Sequence, residues 1–594
     1  MQVVTTAGHV DHGKSALVRA LTGMEPDRLA EERRRGLSLD LGFAWTDIDD
    51  ETLAVVDVPG HERFVSTMLA GVGPVPAVLF VVAADGGWMP QSAEHLAALD
   101  ALEVRHGVLA ISRSDLADPA PARAAALAEL AKTTLAGAPC VEVSAVTGAG
   151  LDALRAALRD LARSLPAPDD EAPVRLWVDR SFSISGAGTV VTGTLPAGRL
   201  HVGDELHLEP GGRPVRVRGL QSTGIAYDEL RGVSRAAVNL RGVEHEAIRR
   251  GHALVRPGAW TTTDELDVRL RPVIADDRLP ARCVLHVGSA AVDTRIRLLG
   301  PTALRLRLRR PLPLHAGDRG LLREPASHRI IGGITVLDVR PAALTRRGAA
   351  AARAEQLASV EPLGDVGEEI RRRGIVHQRD LVAMGFRPTT EPVASGWYVD
   401  DAELARLADR LVAEVAVWAA DRRLDGGLPA DAARQRLGLP DLQLVEVVRR
   451  AAGLAAVDGR IQPATATELP PAVREAADRL LADLADAPFA APDTARLAEL
   501  GLGSRELAAL AHSGALLRVT DGIVLAPDAD RLAVRMLAAL PRPFSVSEAR
   551  QQLSTTRRVA VPLLELLDRR GWTRRLPDDR RELLNDGINS GSDR

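Results

Sequence analysis

The sequence predicts a multidomain chain: an N-terminal α/β domain built on a phosphate loop, two antiparallel β-barrels, then tandem α+β modules of winged-helix type. Three observations carry that reading. Gly8-His-Val-Asp-His-Gly-Lys-Ser15 spells G-x-x-x-x-G-K-S between an apolar run and a helical pattern. From Pro173 to Arg340 the chain alternates in β fashion around closely spaced glycines. Beyond Thr345, helical patterns end in short β segments at Gly396, Gly459 and Gly522, each 63 residues from the next.

Length and composition bound the answer. The 594 residues allow about four domains or more. With 75 Lys+Arg against 79 Asp+Glu, the net charge of −4 excludes a general polyanion binder, so any RNA-binding surface must be local. Cys140 and Cys283 lie far apart without zinc spacing, which fits a reducing compartment and no metal–thiolate site. No basic-then-apolar leader and no membrane-length apolar run is visible, so a cytoplasmic, membrane-free monomer is expected.

The first domain, residues 1–166, alternates apolar runs (Val3–Val4, Leu53–Val58, Val78–Ala83, Val108–Ser112, Val141–Ser144) with helical patterns, as a doubly wound parallel sheet does. Ligands of such sheets sit beyond the carboxyl ends of the strands, and the motifs fall there. In the loop, backbone N–H groups from Val10 to Ala16 (Val10, Asp11, His12, Gly13, Lys14, Ser15, Ala16) can turn toward a polyphosphate. Lys14 reaches the outer phosphates, and the Ser15 hydroxyl can ligate Mg²⁺. The chain holds only two lysines, Lys14 and Lys132. A sequence that otherwise writes its basic residues as Arg has kept a compact ammonium where a narrow phosphate cradle suits one. Asp57-Val-Pro-Gly60 ends the next strand, offering a carboxylate for Mg²⁺ and the Gly60 N–H for a terminal phosphate. Ser112-Arg113-Ser114-Asp115 places a carboxylate where it can accept both N–H donors of a guanine edge, and Ser144-Ala145-Val146 offers backbone N–H to the guanine oxygen. Each motif alone is matched by ordinary loops; their order at successive strand ends is the signal.

Gly8–Ser15, Arg35-Gly-Leu-Ser-Leu-Asp-Leu-Gly42, Asp57–Glu62, Ser112–Asp115 and Ser144–Gly148 resemble, in order, the five signature motifs of translational GTPases. The resemblance implies GTP/GDP and Mg²⁺ as ligands, with Ser15, Ser38 and Asp57 at the metal. It also implies His61 as the residue that positions the attacking water, between the apolar gate residues Val10 and Leu37. Two departures stand out. The family's Asn-Lys-x-Asp reads Ser112-Arg113-Ser114-Asp115, losing an amide, and the switch Thr reads Ser38. Guanine preference therefore rests on Asp115, with the Arg113 stem able to lie along the base.

Residues 173–258 and 262–343 are expected to be the two barrels, after the linker Ala167-Pro-Asp-Asp-Glu-Ala-Pro173. The run Phe182-Ser-Ile-Ser-Gly-Ala-Gly-Thr-Val-Val-Thr-Gly-Thr194 is similar to the second domain of tRNA-carrying elongation factors, above all the selenocysteine-specific ones. That resemblance implies an aminoacyl contact at Asp179 and Arg180. A selenol is largely ionised at neutral pH and a serine hydroxyl is not, so a guanidinium can favour selenolate by a charge-assisted contact. A surface ion pair of little energetic worth is the plainer alternative.

Four helix-then-hairpin modules are expected at residues 345–400, 401–464, 468–527 and 528–585, followed by a disordered tail at 586–594. The Asp-Gly pairs at 458–459 and 521–522 are two-residue hairpin signals. Module four gathers Arg557, Arg558, Arg569, Arg570, Arg574 and Arg575, the electrostatic footprint of a phosphate-binding surface, against the alternative of a solvated face in an Arg-rich chain. In the family that this chain resembles, such a tail grips the mRNA hairpin that recodes UGA. The sequence therefore points to a GTPase delivering selenocysteyl-tRNA to the ribosome. The alternatives are a related GTPase with another tRNA cargo, and a winged-helix regulator whose nucleotide domain is degenerate, as Ser112-Arg113 would suggest.

Overall fold

The computed structural model describes residues 1–26, 38–49, 51–61, 64–73, 75–186, 188–272, 279–327, 329–421, 427–463 and 470–584. Leu37, Arg35 and Gly36 of the switch motif, and the tail 586–594, lie outside the described residues. The chain forms two compact units, Met1–Glu369 with Val376–Glu391, and Ile370–Ile375 with Pro392–Arg594.

In the first unit, β1 (Gln2–Ala7), β2 (Gly42–Ile48), β3 (Glu51–Asp57), β4 (Ala77–Ala83), β5 (His106–Ser112) and β6 (Cys140–Glu142) form one sheet in the order β2-β3-β1-β4-β5-β6. Only β2 runs antiparallel to its neighbour. All seven residues of β4, Ala-Val-Leu-Phe-Val-Val-Ala, are buried, as befits a central strand covered on both faces. Among the described residues the helices are α1 (Lys14–Thr22), α2 (Val65–Val72), α3 (Pro90–Ala101), α4 (Ala120–Leu130) and α5 (Leu151–Ser164). Helix α5 shows why they pack: Leu154, Leu158 and Leu161 recur on one face and are buried. The edge strand β2 carries no strong alternating signal and is not among the strands expected from sequence.

The second domain is an antiparallel eight-stranded sheet with a separate two-stranded ribbon, curled round one apolar cluster from Val174 to Leu254. Its ladder does not close among the described residues, so the expected second barrel is a half-barrel wrapped on that core. On its strand Arg213–Ser222 a bulge between Val217 and Gly219 shifts the register, and the buried positions change phase from Val215 and Val217 to Leu220 and Ser222. The third domain is a closed six-stranded barrel beginning at Thr261–Pro272 and ending at Ile330–Asp338.

The helix Ala349–Ala358 belongs to that barrel. Its Arg353 donates through Nε to Asp267 at 2.7 Å and through Nη2 to Asp338 at 2.6 Å, while Arg305 donates to both oxygens of Asp267 at 2.7 and 3.0 Å. All four side chains are buried. Residues 345–400, expected to be a first winged helix, thus divide between the units: a buried ion-pair network holds their first helix on the barrel, and composition alone does not reveal such a network.

In the second unit, helices Asp401–Asp421, Ala430–Leu437 and Gln443–Ala451 accompany a three-stranded sheet, whose strand Leu428–Pro429 follows the first helix and whose hairpin turns at Asp458-Gly459 with φ of 48° and 72°. Helices Pro471–Asp486, Thr494–Glu499 and Ser504–His512 precede the hairpin Leu517–Thr520/Ile523–Leu525. Helices Ala529–Leu537, Val546–Gln552 and Arg557–Arg569 precede the hairpin Thr573–Arg575/Arg581–Leu583. These last two modules share one apolar core that includes Leu480, Leu510, Leu537 and Leu563.

Candidate functional site

The phosphate loop is shaped by backbone that side chains tolerate poorly. Gly13 caps α1 in the left-handed region at φ 78°, and a Cβ on Gly8, at φ 130°, would overlap the Val81 carbonyl. Lys14 is buried and donates to the Gly8 and His9 carbonyls at 3.0 and 2.8 Å, closing the loop around its own ammonium. Around it stand Val10, the exposed Asp11 and Ala16.

Ser15, Ser38 and Asp57 meet at the mouth of the loop. The Ser15 hydroxyl donates to Asp57 Oδ2 at 2.6 Å and stands 3.0 Å from the Ser38 hydroxyl. Thr6 donates to Asp57 Oδ1 at 2.7 Å and accepts from the Val58 N–H at 3.0 Å, which aims the buried carboxylate. Two hydroxyls and a carboxylate make an all-oxygen cluster of the kind a small hard cation prefers. Gly60 presses on the same place: a Cβ there would overlap Lys14 Nζ and approach the Val10 N–H at 2.7 Å. His61 follows directly; its carbonyl accepts from Phe64 N at 2.9 Å and its ring tilts against the Phe64 ring at 6.1 Å.

At the base-reading end, Ser112 is buried and its hydroxyl donates to the His12 carbonyl at 2.7 Å. The departure from the family's Asn therefore retains a tie between β5 and the phosphate loop. Arg113, at φ 54°, pairs with Asp85 at 3.1 Å. Asp115 is exposed, and the buried Ser144 hydroxyl accepts from the N–H groups of Val146 and Thr147 at 3.3 and 3.1 Å, shaping the loop that begins Ser144-Ala145-Val146. Ser114 N donates to Val143 O at 3.3 Å and holds the two motifs side by side.

Helix α3 supports the loop from beneath in a way not read from the sequence. His95 Nδ1 accepts from the Gly8 N–H at 3.0 Å and Gln91 Oε1 accepts from the Val10 N–H at 3.2 Å. Burial pushes the His95 imidazole down to about 3, and burial pushes His12 to about 4 with His9 and Lys14 adding to the shift, so both rings are neutral at pH 7. The available signal was Gln91 and His95 four apart on one helical face, after Pro90 at the helix start.

On the second domain, Asp179 is buried and accepts from both terminal nitrogens of Arg235 and from Thr192 Oγ1 at 2.7 Å. Arg180 turns toward the first domain: Nε donates to Asp40 at 3.0 Å and Nη2 to the Leu41 carbonyl. Arg235 and Arg180 lie over the Phe43 ring at 3.8 and 4.9 Å from its centroid. Arg250 joins the group, donating to Asp40, to Thr67 Oγ1 at 3.0 Å and to the Asp179 carbonyl at 3.0 Å. Arg235, Arg250 and Asp40 were not singled out from sequence, because nothing local marks residues 55 and 70 positions beyond Arg180 as its neighbours.

In the last module most of the arginines have protein partners. Arg558 donates to the Ala491 and Pro492 carbonyls, Arg570 pairs with the buried Asp530, Arg574 with Glu582 and Arg575 with Asp579. Arg557 and Arg569 are exposed and have no ion-pair partner among the described residues.

Residues 1–164 match the elongation factor Tu GTP binding domain family, and residues 535–581 match the elongation factor SelB winged helix family. The selenocysteine-specific elongation factor of Escherichia coli (strain K12) is 30% identical over 633 aligned positions, spanning 99% of each chain. The chain belongs to the selenocysteine-specific elongation factors. As a member it is a translational GTPase that binds guanine nucleotide. The Desulfomicrobium baculatum factor is 39% identical over 352 residues, 57% of this chain and about half, 55%, of that relative's length. The crystal structure of bacterial selenocysteine-specific elongation factor EF-Sec has the same fold, with a TM-score of 0.80 at 24% identity over 98% of this chain and 100% of that one. Among the described residues no helix is long and apolar enough to cross a membrane.

Proposed function

We propose that this protein delivers selenocysteyl-tRNA to the ribosome at UGA codons marked by an mRNA hairpin, in a cycle driven by GTP hydrolysis. The observation that carries the cargo is the charge at the Phe43 ring. Three guanidiniums, Arg180, Arg235 and Arg250, meet two carboxylates, Asp40 and Asp179, and leave one positive charge in a partly buried place. Such a site favours an ionised selenol over a neutral serine hydroxyl.

Mg²⁺ held by Ser15, Ser38 and Asp57 would neutralise charge on the phosphates. Lys14 and the loop N–H groups orient the polyphosphate, Gly60 N–H faces its terminal group, and Asp115 with the Ser144–Val146 loop reads the guanine. His61 positions the attacking water once the ribosome orders it. Loss of the terminal phosphate removes the contacts at Ser38 and Gly60, and the tRNA leaves. Arg557 and Arg569 contact the hairpin phosphates. The test is the affinity for selenocysteyl-tRNA and seryl-tRNA with a non-hydrolysable GTP analogue bound. Preference for the selenocysteyl form is expected, and equal binding rules the cargo out.

A further inference from the structure

The segment Ser38–Phe43 touches two sites at once. Ser38 stands at the metal cluster, 3.0 Å from the Ser15 hydroxyl. Two residues on, Asp40 bonds Arg180 through one carboxylate oxygen and Arg250 through the other, Leu41 offers its carbonyl to Arg180, and Phe43 lies under Arg180 and Arg235. We propose that Asp40 is the positioning residue through which the nucleotide state sets the barrel arginines. With Ser38 drawn to the metal cluster, Asp40 holds Arg180 and Arg250 in the arrangement that receives the aminoacyl group; with Ser38 released, it does not. The inference rests on the cargo pocket proposed above.

Geometry and charge both support it. Two residues of extended chain span about 7 Å, so a displacement of Ser38 reaches Asp40 without an intermediary. Asp40 is the shared anion of two guanidiniums; withdrawing it leaves like charges side by side, and they must rearrange. Asp40 accepts from Arg180 Nε and the Leu41 carbonyl accepts from Nη2, while Nη1 has no partner among the described residues and remains available as a donor. Arg250 brings in the other phosphate-facing segment: its bond to Thr67 ends on α2, which follows the Gly60–His61 turn. Both segments that face the terminal phosphate therefore converge on the arginines beside Asp179.

The experiment compares wild type, Asp40→Asn and Asp40→Glu. Selenocysteyl-tRNA dissociation constants are measured on the full chain with a GTP analogue and with GDP. For Asp40→Asn, affinity in the GTP form should fall about tenfold or more while the GDP form is unchanged, a coupling of ordinary allosteric size, and Asp40→Glu should recover part of it. An unchanged ratio between the two forms overturns the proposal, as does an equal loss in both, which marks a merely structural residue. A second arm needs no tRNA. Asp40→Asn and Arg250→Gln should each reduce the preference for the GTP analogue over GDP, and the double variant should do no more than either alone; full additivity would count against the coupling. If wild type fails to distinguish selenocysteyl- from seryl-tRNA, the cargo reading falls while this second arm still decides the role of Asp40.

Discussion

The Ser112 hydroxyl donates to the His12 carbonyl at 2.7 Å, so the end of β5 is tied to the phosphate loop by a side chain one bond shorter than the asparagine of the family's motif. The tie is buried, and its loss leaves a carbonyl without its donor. Ser112→Ala is therefore expected to weaken guanine nucleotide binding about fivefold, the worth of one buried hydrogen bond of about 1 kcal/mol. Equilibrium titration with a fluorescent GDP analogue checks it, and wild-type affinity would show that the bond is incidental.

His61 lies directly after Gly60, where any Cβ would overlap Lys14 and Val10. His61→Ala should lower ribosome-stimulated GTP hydrolysis on the order of a hundredfold or more, with nucleotide affinity unchanged. Single-turnover hydrolysis with and without ribosomes separates these effects. Retention of full stimulated turnover would sink the role.

Four histidines of the first unit, His12, His95, His286 and His315, are held neutral by burial, at about 4, 3, 3 and 4. In the unfolded chain each titrates near 6.5. Their folded values are depressed, so between pH 6.5 and about 4 the unfolded chain binds more protons. Stability is complete above pH 6.5 and is lost as pH falls, by up to about 1.4 kcal/mol per pH unit for each histidine. Thermal midpoints between pH 7 and 5 should drop accordingly, and His95→Gln should flatten part of the slope. A midpoint indifferent to pH over that range contradicts the prediction.

Arg353 serves Asp267 and Asp338, both buried. Arg353→Ala should destabilise the first unit by about 3–5 kcal/mol, because two buried carboxylates, Asp267 and Asp338, are then left with the single guanidinium of Arg305, which bonds Asp267, while Asp338 keeps the Arg340 N–H. Chemical denaturation followed by tryptophan fluorescence measures it. A loss below about 1 kcal/mol would mean that water reaches the pair.

Of the six arginines singled out in the last module, Arg557 and Arg569 are those with neither an ion-pair nor a hydrogen-bond partner among the described residues. Substituting either with Ala should weaken binding of the mRNA hairpin, lower the salt slope by about 0.7–1 and leave the melting temperature alone. Arg570→Ala, by contrast, abandons the buried Asp530 and should lower the melting temperature. Equal RNA effects from all six would favour a diffuse charge over a defined surface.

What the sequence revealed and what it withheld follow the distance over which each signal acts. The phosphate loop, Asp57–Gly60 and the Asp-Gly hairpins are local: glycines, a strand end and a two-residue turn announce themselves within a few positions. Ser15 and Asp57 were read from the motifs themselves and Ser38 through resemblance, and the three side chains lie together. Edge strand β2 escaped because it is half-buried without clean alternation. Arg180 was read through resemblance, but Arg250 and Asp40 escaped because they meet from different domains, 210 positions apart, and Arg235 because its partner Asp179 lies 56 positions away. In the last module, counting charges does not show which arginines already pair with Asp530, Glu582 and Asp579.

The Asp267–Arg305–Arg353–Asp338 network also decides where this protein can be cut. A chain ended at residue 343, where the last barrel strand is complete, would expose two carboxylates that water never met in the intact protein and would leave Leu299, Ala303 and Leu337 without their cover from Leu357. A truncation that keeps the chain through Ala358 preserves the seal. The first unit itself continues through Glu391, where Thr261 Oγ1 donates to the Ala383 carbonyl at 2.8 Å and Ala316 N to the Met384 carbonyl at 2.9 Å, so the severable joint lies after residue 391 and grafts of other modules should begin there.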